Sequence, residues 1–330
     1  MASYIGRRKF LATLGSAAAA WPLAARGQPT SSHPLIGVLS PLSSASAAHL
    51  QAFRAGLREL GYVEGRNITI ELRFAEGVIE RLPELAAELV ALKPAVIVAG
   101  SPPAALSARN VTRTIPIVIN SSENPVVLGL AASLARPGGN ITGFWWDDEG
   151  LTGKRFELLK EVVVGTTRVG IILNPNDASD NNVLESLPAL TRALDLTVRV
   201  LEVRTQTEFE SAFTTATRED LQALQISLAP MFFSHRAMLA TLAANARLPA
   251  VYGMREFAMA GGLMSYGASL PDIYRRLAGF ADKILKGTGP ADLPIQRPVK
   301  FELVINLKTA KALGLAISES LLLRADEVIE

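Results

Sequence analysis

The sequence predicts an α/β protein built from two doubly wound, Rossmann-like lobes, and three observations carry that reading. The chain has 330 residues, more than one hydrophobic core usually serves. From Pro34 onward, apolar strand-like runs alternate with stretches of helical periodicity. The alternation then restarts after a break near residues 145–149, which means two parallel sheets in succession. Composition agrees with a globular chain, at 49% hydrophobic and 19% charged residues.

The first strand is expected over residues 35–40, a continuous apolar run of the kind buried on both faces. A helix over 47–60 follows, with Leu50, Phe53, Leu57 and Leu60 on one side and Gly61 closing it. Residues 67–74 are rich in β-branched side chains and form the second strand. A helix over 79–92 turns Leu82, Leu85, Leu89 and Leu92 inward. Strands are expected over 95–100, 115–120 and 140–144. The second series has helices over 150–164, 182–194, 207–217 and 234–246, with strands over 168–173, 197–203, 221–228, 250–252 and 262–265. A long helix over 270–286 ends at Gly287, and a strand over 301–305 precedes a C-terminal helix.

Residues 1–27 read differently. Arg7-Arg8-Lys9-Phe10-Leu11 leads into an alanine-rich apolar run ending near Ala25-Arg26-Gly27. The run is short of the roughly 20 apolar residues a membrane span needs, and small residues two apart suit a signal peptidase. Paired arginines before Phe-Leu mark the twin-arginine export route. Residues 1–27 carry +4 against +2 for the whole chain, so the remainder carries −2. The basic balance is therefore no argument for nucleic-acid binding. Cysteine is absent, which excludes thiolate chemistry and a lipidated cysteine at the cleavage site. The expected product is exported, soluble, periplasmic and not lipid-anchored.

Four stretches carry a family resemblance. They are Gly61-Tyr62-Val63-Glu64-Gly65-Arg66-Asn67 with Arg73-Phe74-Ala75-Glu76-Gly77, then Asn124-Pro125-Val126 with Ala135-Arg136-Pro137-Gly138-Gly139-Asn140-Ile141-Thr142-Gly143. The third is Tyr252-Gly253 with Arg255-Glu256-Phe257 and 261–267, and the fourth is the tail 300–315. Together they make the chain, from Pro34 to its end, resemble the ABC-transporter substrate-binding family with a type I periplasmic-binding fold. The resemblance implies two lobes joined by a three-segment hinge: 34–145 plus 268–288, and 146–267 plus 289–330. It implies capture of a small organic solute, an amino acid or an aromatic acid, and delivery to an ABC permease in the inner membrane. The twin-arginine translocase would be the export partner, with no cofactor, metal or nucleic acid. Two positions depart from the family pattern. Asn124 stands where relatives often have Asp before Pro-Val, and Ala229-Pro230-Met231 stands where relatives often carry an acid.

Ligands of such sheets sit beyond the carboxyl ends of the strands. Ser40 follows the first strand, and Ser101 follows the third, ahead of a helix starting at Pro102-Pro103. Ser101 can donate to a carboxylate, as can free N–H groups of that helix, and it is equally an N-cap. Ser122, Glu123 and Asn124 follow the fourth strand; Glu123 can pair with an ammonium group, and the same residues suit a solvated turn. Asn174, Asn176 and Asp177 end the first strand of the second lobe, as ligand contacts or equally as a plain turn, with Asn174 closest to the strand end. Tyr252, Glu256 and Tyr266 complete the candidates; each has a plain alternative as core aromatic, surface charge or hinge residue. Trp145 and Trp146 suit ligand stacking or hinge packing, with packing favoured, and His33, His49 and His235 read as surface residues with no metal-ligand spacing.

Catalytic motifs fail on inspection. Residues 150–155 end like a phosphate loop, but Asp148 occupies the place of its first glycine. Residues 262–267 are one residue too long for a nucleophile elbow. Gly287-Thr288-Gly289 follows a helix and lacks the third glycine of a dinucleotide fingerprint. The alternatives left open are an exported α/β enzyme with an unrecognised site and a periplasmic ligand-sensing subunit.

Overall fold

Strand β1 (Leu35–Ser40) starts the first sheet in the computed structural model, which describes residues 33–42, 48–146 and 148–330. The leader expected over 1–27 lies outside the described residues. Helix α1 (Ala48–Glu59), β2 (Thr69–Phe74), α2 (Leu82–Ala91), β3 (Val96–Ala99), α3 (Pro102–Val111), β4 (Ile117–Ser121) and β5 (Ile141–Trp145) follow. The strands pair in parallel in the order β2-β1-β3-β4-β5. β3 and β4 are buried along their whole length, as their unbroken apolar sequence requires. Their alternate side chains serve opposite faces. Val96, Val98 and Val118 join the core beneath α1, while Ile97, Ala99, Ile117 and Ile119 pack toward α2 and α3.

The second sheet begins after α4 (Asp148–Val162) with β6 (Arg168–Leu173), α5 (Ala178–Leu194), β7 (Thr197–Glu202) and α6 (Phe209–Arg218). It continues through β8 (Ala223–Ile226), α7 (Pro230–Ser234), α8 (Arg236–Asn245), β9 (Ala250–Tyr252), α9 (Arg255–Met259) and β10 (Met264–Ala268). The chain then leaves for α10 (Leu270–Leu285), which returns to the first lobe and packs along α1. Gly56 makes this packing possible: a Cβ there would stand 2.4 Å from the Arg275 carbonyl oxygen. β11 (Phe301–Asn306), α11 (Leu307–Ala312), α12 (Glu319–Leu322) and β12 (Glu327–Ile329) complete the second lobe, in the strand order β12-β11-β10-β9-β8-β6-β7.

Two details differ from the sequence reading. β11 runs antiparallel to β10, in a sheet expected to be parallel. The reason is topological: β10 leaves the second lobe at its hinge end and the chain re-enters at that same end, so β11 must run away from the hinge. Residues 293–296, expected in the second lobe, instead bond to the first. Ile295 N–H donates to Leu134 O, Gln296 N–H to Gly143 O, and Thr142 Oγ1–H to Leu293 O. Trp145 N–H to Gln296 O and Ser269 N–H to Lys300 O tie the crossing segments together. Among the described residues, no helix is long and apolar enough to cross a membrane.

Candidate functional site: the cleft between the two sheets

The carboxyl ends of strands from both sheets converge on one cavity. The first lobe supplies Pro41 and Leu42 after β1, Gly100 and Ser101 after β3, and Asn120 and Ser122 around the end of β4. Leu270 and Tyr274 enter from α10, and His49 from α1. The second lobe supplies Asp177 after β6, Leu228 and Pro230 after β8, Phe233 on α7, and Met254 after β9. Trp146 lies on the crossing between lobes and closes one side. Among the described residues, no lysine or arginine lines the space.

The walls are held from behind. Trp146 indole Nε1–H donates to Asn120 Oδ1 at 3.0 Å, which fixes the ring at the crossing. The rings of Tyr274 and His49 lie 4.3 Å apart between α10 and α1. Gly100 is required by Tyr274, since a Cβ at position 100 would stand 2.6 Å from the phenolic oxygen. The cavity measures about 60 Å³. An apolar cavity of about 150 Å³ accommodates benzene, so an aromatic solute requires the lobes to stand further apart than in this form. Several contacts already bridge the lobes. Leu42 of the first lobe packs in the core cluster of Phe209, Phe232 and Phe233, and Gly77 faces Ser234, whose Oγ would lie 3.3 Å from a Cβ at Gly77.

Two sequence-predicted candidates, Ser101 and Ser122, line the cavity. Ser101 caps α3, its Oγ accepting from Ala104 N at 3.2 Å. The free N–H groups expected at that helix start are missing. Pro102 and Pro103 have no N–H, Ala104 N–H is taken by Ser101 Oγ, and Ala105 N–H by Ser101 O. Glu123, only 7% exposed, sits beside Ser122. Its backbone is pinned by Ser121: Ser121 Oγ–H donates to Glu123 O at 2.7 Å, and Glu123 N–H donates to Ser121 Oγ at 3.3 Å. Burial, reinforced by Asp177 from the opposite lobe, pushes the Glu123 carboxyl up to about 7.

The remaining candidates lie elsewhere. Ser40 is buried behind the wall, its Oγ accepting from Leu42 N. Asn124 caps its own turn through Val126 N–H. Asn174 accepts from Asn176 N–H and gives its own N–H to Asp180 Oδ2 at 2.7 Å. Tyr252 is fully buried and stacked on Phe257, with ring centroids 4.6 Å apart; burial raises its phenol. Glu256 sits on α9, its carboxyl raised chiefly by burial, with Arg255 and Arg236 acting in the opposite direction. The half-buried Tyr266 packs against the core cluster that includes α4, and its carbonyl accepts from Arg155 Nε at 2.8 Å.

Sequence reasoning passed over Tyr274, Phe233 and His49 as wall residues, and weighed Trp146 and Asp177 without choosing them. Of the turn read as either ligand contact or plain turn, Asn174 was placed nearest the strand end, but it is Asp177, 5% exposed, that reaches the cavity wall. His49, expected at the surface, is buried. Among the described residues, no group of acidic and histidine side chains could hold a metal ion.

Residues 35–329 match the family described as ABC transporter substrate binding protein. A tyrosine-binding protein of Clostridioides difficile strain R20291 is 25% identical over 265 residues, 80% of this chain and 76% of that one. Among solved structures, a conserved domain protein from Vibrio cholerae O1 biovar El Tor superposes with a TM-score of 0.82 at 25% identity, covering 89% of this chain and 99% of that one. The ABC domain from Streptococcus pneumonia in complex with L-Trp gives the same score and identity, covering 90% and 100%.

Proposed function

Since the chain belongs to the ABC transporter substrate binding protein family, we propose that its cleft captures a small amine-bearing solute of amino-acid type and presents it, closed in, to an ABC permease. One observation carries the reading: a cavity is walled by strand ends of both lobes, with Asp177 on one side, Ser101 and Ser122 on the other, and Glu123 beside Ser122 within electrostatic reach of Asp177. Such a site binds by hinge closure. Relatives whose names specify tyrosine and L-Trp support an amino acid. The absence of a lining lysine or arginine among the described residues disfavours an aromatic acid without an amine. The working lobes are 34–145 with 268–296, and 146–267 with 298–330. We further propose that residues 1–27 direct the folded chain through the twin-arginine translocase into the periplasm.

Thermal unfolding of the full chain against amino acids, organic acids and sugars tests the binding role. A true ligand at a hundred times its Kd adds about 2.7 kcal/mol of stability, and mass spectrometry should recover it unchanged. Chemical turnover of the stabilising compound would replace the reading with an enzymatic one. N-terminal sequencing of the protein from a periplasmic fraction tests the leader: a start near residue 28 is expected, and an intact Met1 would refute it.

A further inference from the structure

The polar inventory of the cleft is lopsided. Negative charge approaches from both lobes, through Asp177 on the wall and Glu123 next to the lining Ser122. No lysine or arginine lines the cavity among the described residues, and His49, the one lining imidazole, lies with its ring against Tyr274. The helix end that would ordinarily cradle an anion is α3. Pro102 and Pro103 strip its first two N–H groups, and Ser101 occupies the next two through Oγ and O. Trp146, Phe233 and Tyr274 add aromatic surface to the wall, with Arg236 already over the Phe233 ring and His49 against Tyr274.

We propose that this cleft recognises its solute through the ammonium group alone, so that organic amines whose carboxylate is absent or amidated bind at least as tightly as the matching α-amino acids. The proposal rests on the solute-binding reading above and narrows it. Asp177 and Glu123 supply the counter-charge; Ser101 and Ser122 serve as neutral hydrogen-bonding groups; the aromatic and aliphatic walls hold the carbon skeleton.

Titration calorimetry of the full chain with two matched sets tests it. One set is L-valine, L-valinamide and isovalerate, and the other is L-tyrosine, tyramine and 4-hydroxyphenylpropionate. In the set that fits the cavity, the amine or amide should bind as tightly as the amino acid or tighter, and the acid lacking nitrogen should lose about tenfold or more in affinity. In Asp177→Asn, checked for folding by circular dichroism, amine and amino acid should both weaken by about tenfold while the acid lacking nitrogen does not. An amino acid that binds tighter than its amine or amide overturns the proposal and leaves the solute-binding role intact. Binding confined to acids or sugars does the same. A folded chain that binds neither set nor the wider panel overturns both.

Discussion

Glu123 is the residue whose chemistry is most altered by its place. Its carboxyl is pushed up to about 7 by burial first and by Asp177 second. Between the ordinary carboxylate range and pH 7, the folded chain therefore binds more protons than the unfolded one. Stability must then fall as pH rises through that window. Glu123→Gln keeps the shape and removes the titration. Thermal midpoints at pH 5, 6, 7 and 8 without ligand should show the wild type losing ground to the variant as pH rises, and parallel curves would refute the assignment. An ammonium ligand should cancel the wild-type loss above pH 7, since it favours the charged carboxylate. The residues beyond the ends of β3 and β4 were legible from the sequence because strand ends of parallel sheets open toward ligands. Tyr252 and Tyr266 were not. Side chains alternate along a strand, and only the packed structure reveals that Tyr252 turns to Phe257 and that Tyr266 packs, half-buried, against the cluster that includes α4. Tyr274 was hidden for another reason: it comes from α10, and its approach to His49 depends on the long-range packing of α10 on α1.

At the scale of elements, α3 shows how two prolines change a helix end without shortening it. Proline suits the first turn, where an N–H would lack an intrahelical partner. In a binding cleft that convenience removes anion donors. Pro103→Ala restores one N–H near Ser101. Its expected effect is a gain of about 0.3–1 kcal/mol for ligands bearing a carboxylate, roughly two- to fivefold in Kd, with amines unchanged. The cost to folding is about 0.4–1 kcal/mol, through a looser unfolded chain. Calorimetry on an amino acid and its amide separates the two; equal shifts for both would mean that the new N–H does not face the ligand. Most elements were legible because their apolar periods are long. α7 and α9, at five residues each, fall below the length at which helical periodicity can be read. The start of α5 at Ala178, ahead of the expected residue 182, likewise has few apolar side chains to announce it.

On the scale of the whole molecule, the form described here is a closed one. Leu42 leaves the first sheet, yet its side chain is only 9% exposed and packs with the aromatic core of the second lobe. That contact exists only while the lobes are together, so it biases the open–closed equilibrium without holding either lobe folded. Fully burying a leucine is worth about 1.5–3 kcal/mol. Truncation to alanine should therefore remove about 1–2 kcal/mol of closure, which weakens ligand binding by roughly five- to thirtyfold. Leu42 also lines the cavity, so affinity alone would confuse lost closure with lost ligand contact. Small-angle scattering without ligand separates them: Leu42→Ala should expand the ligand-free molecule, and saturating ligand should return it to the wild-type radius of gyration. Chemical denaturation should leave the unfolding slope unchanged, because the same surface is exposed on unfolding. If affinity drops while the ligand-free dimensions match the wild type, Leu42 acts as a ligand wall, and closure must rest on the other inter-lobe contacts.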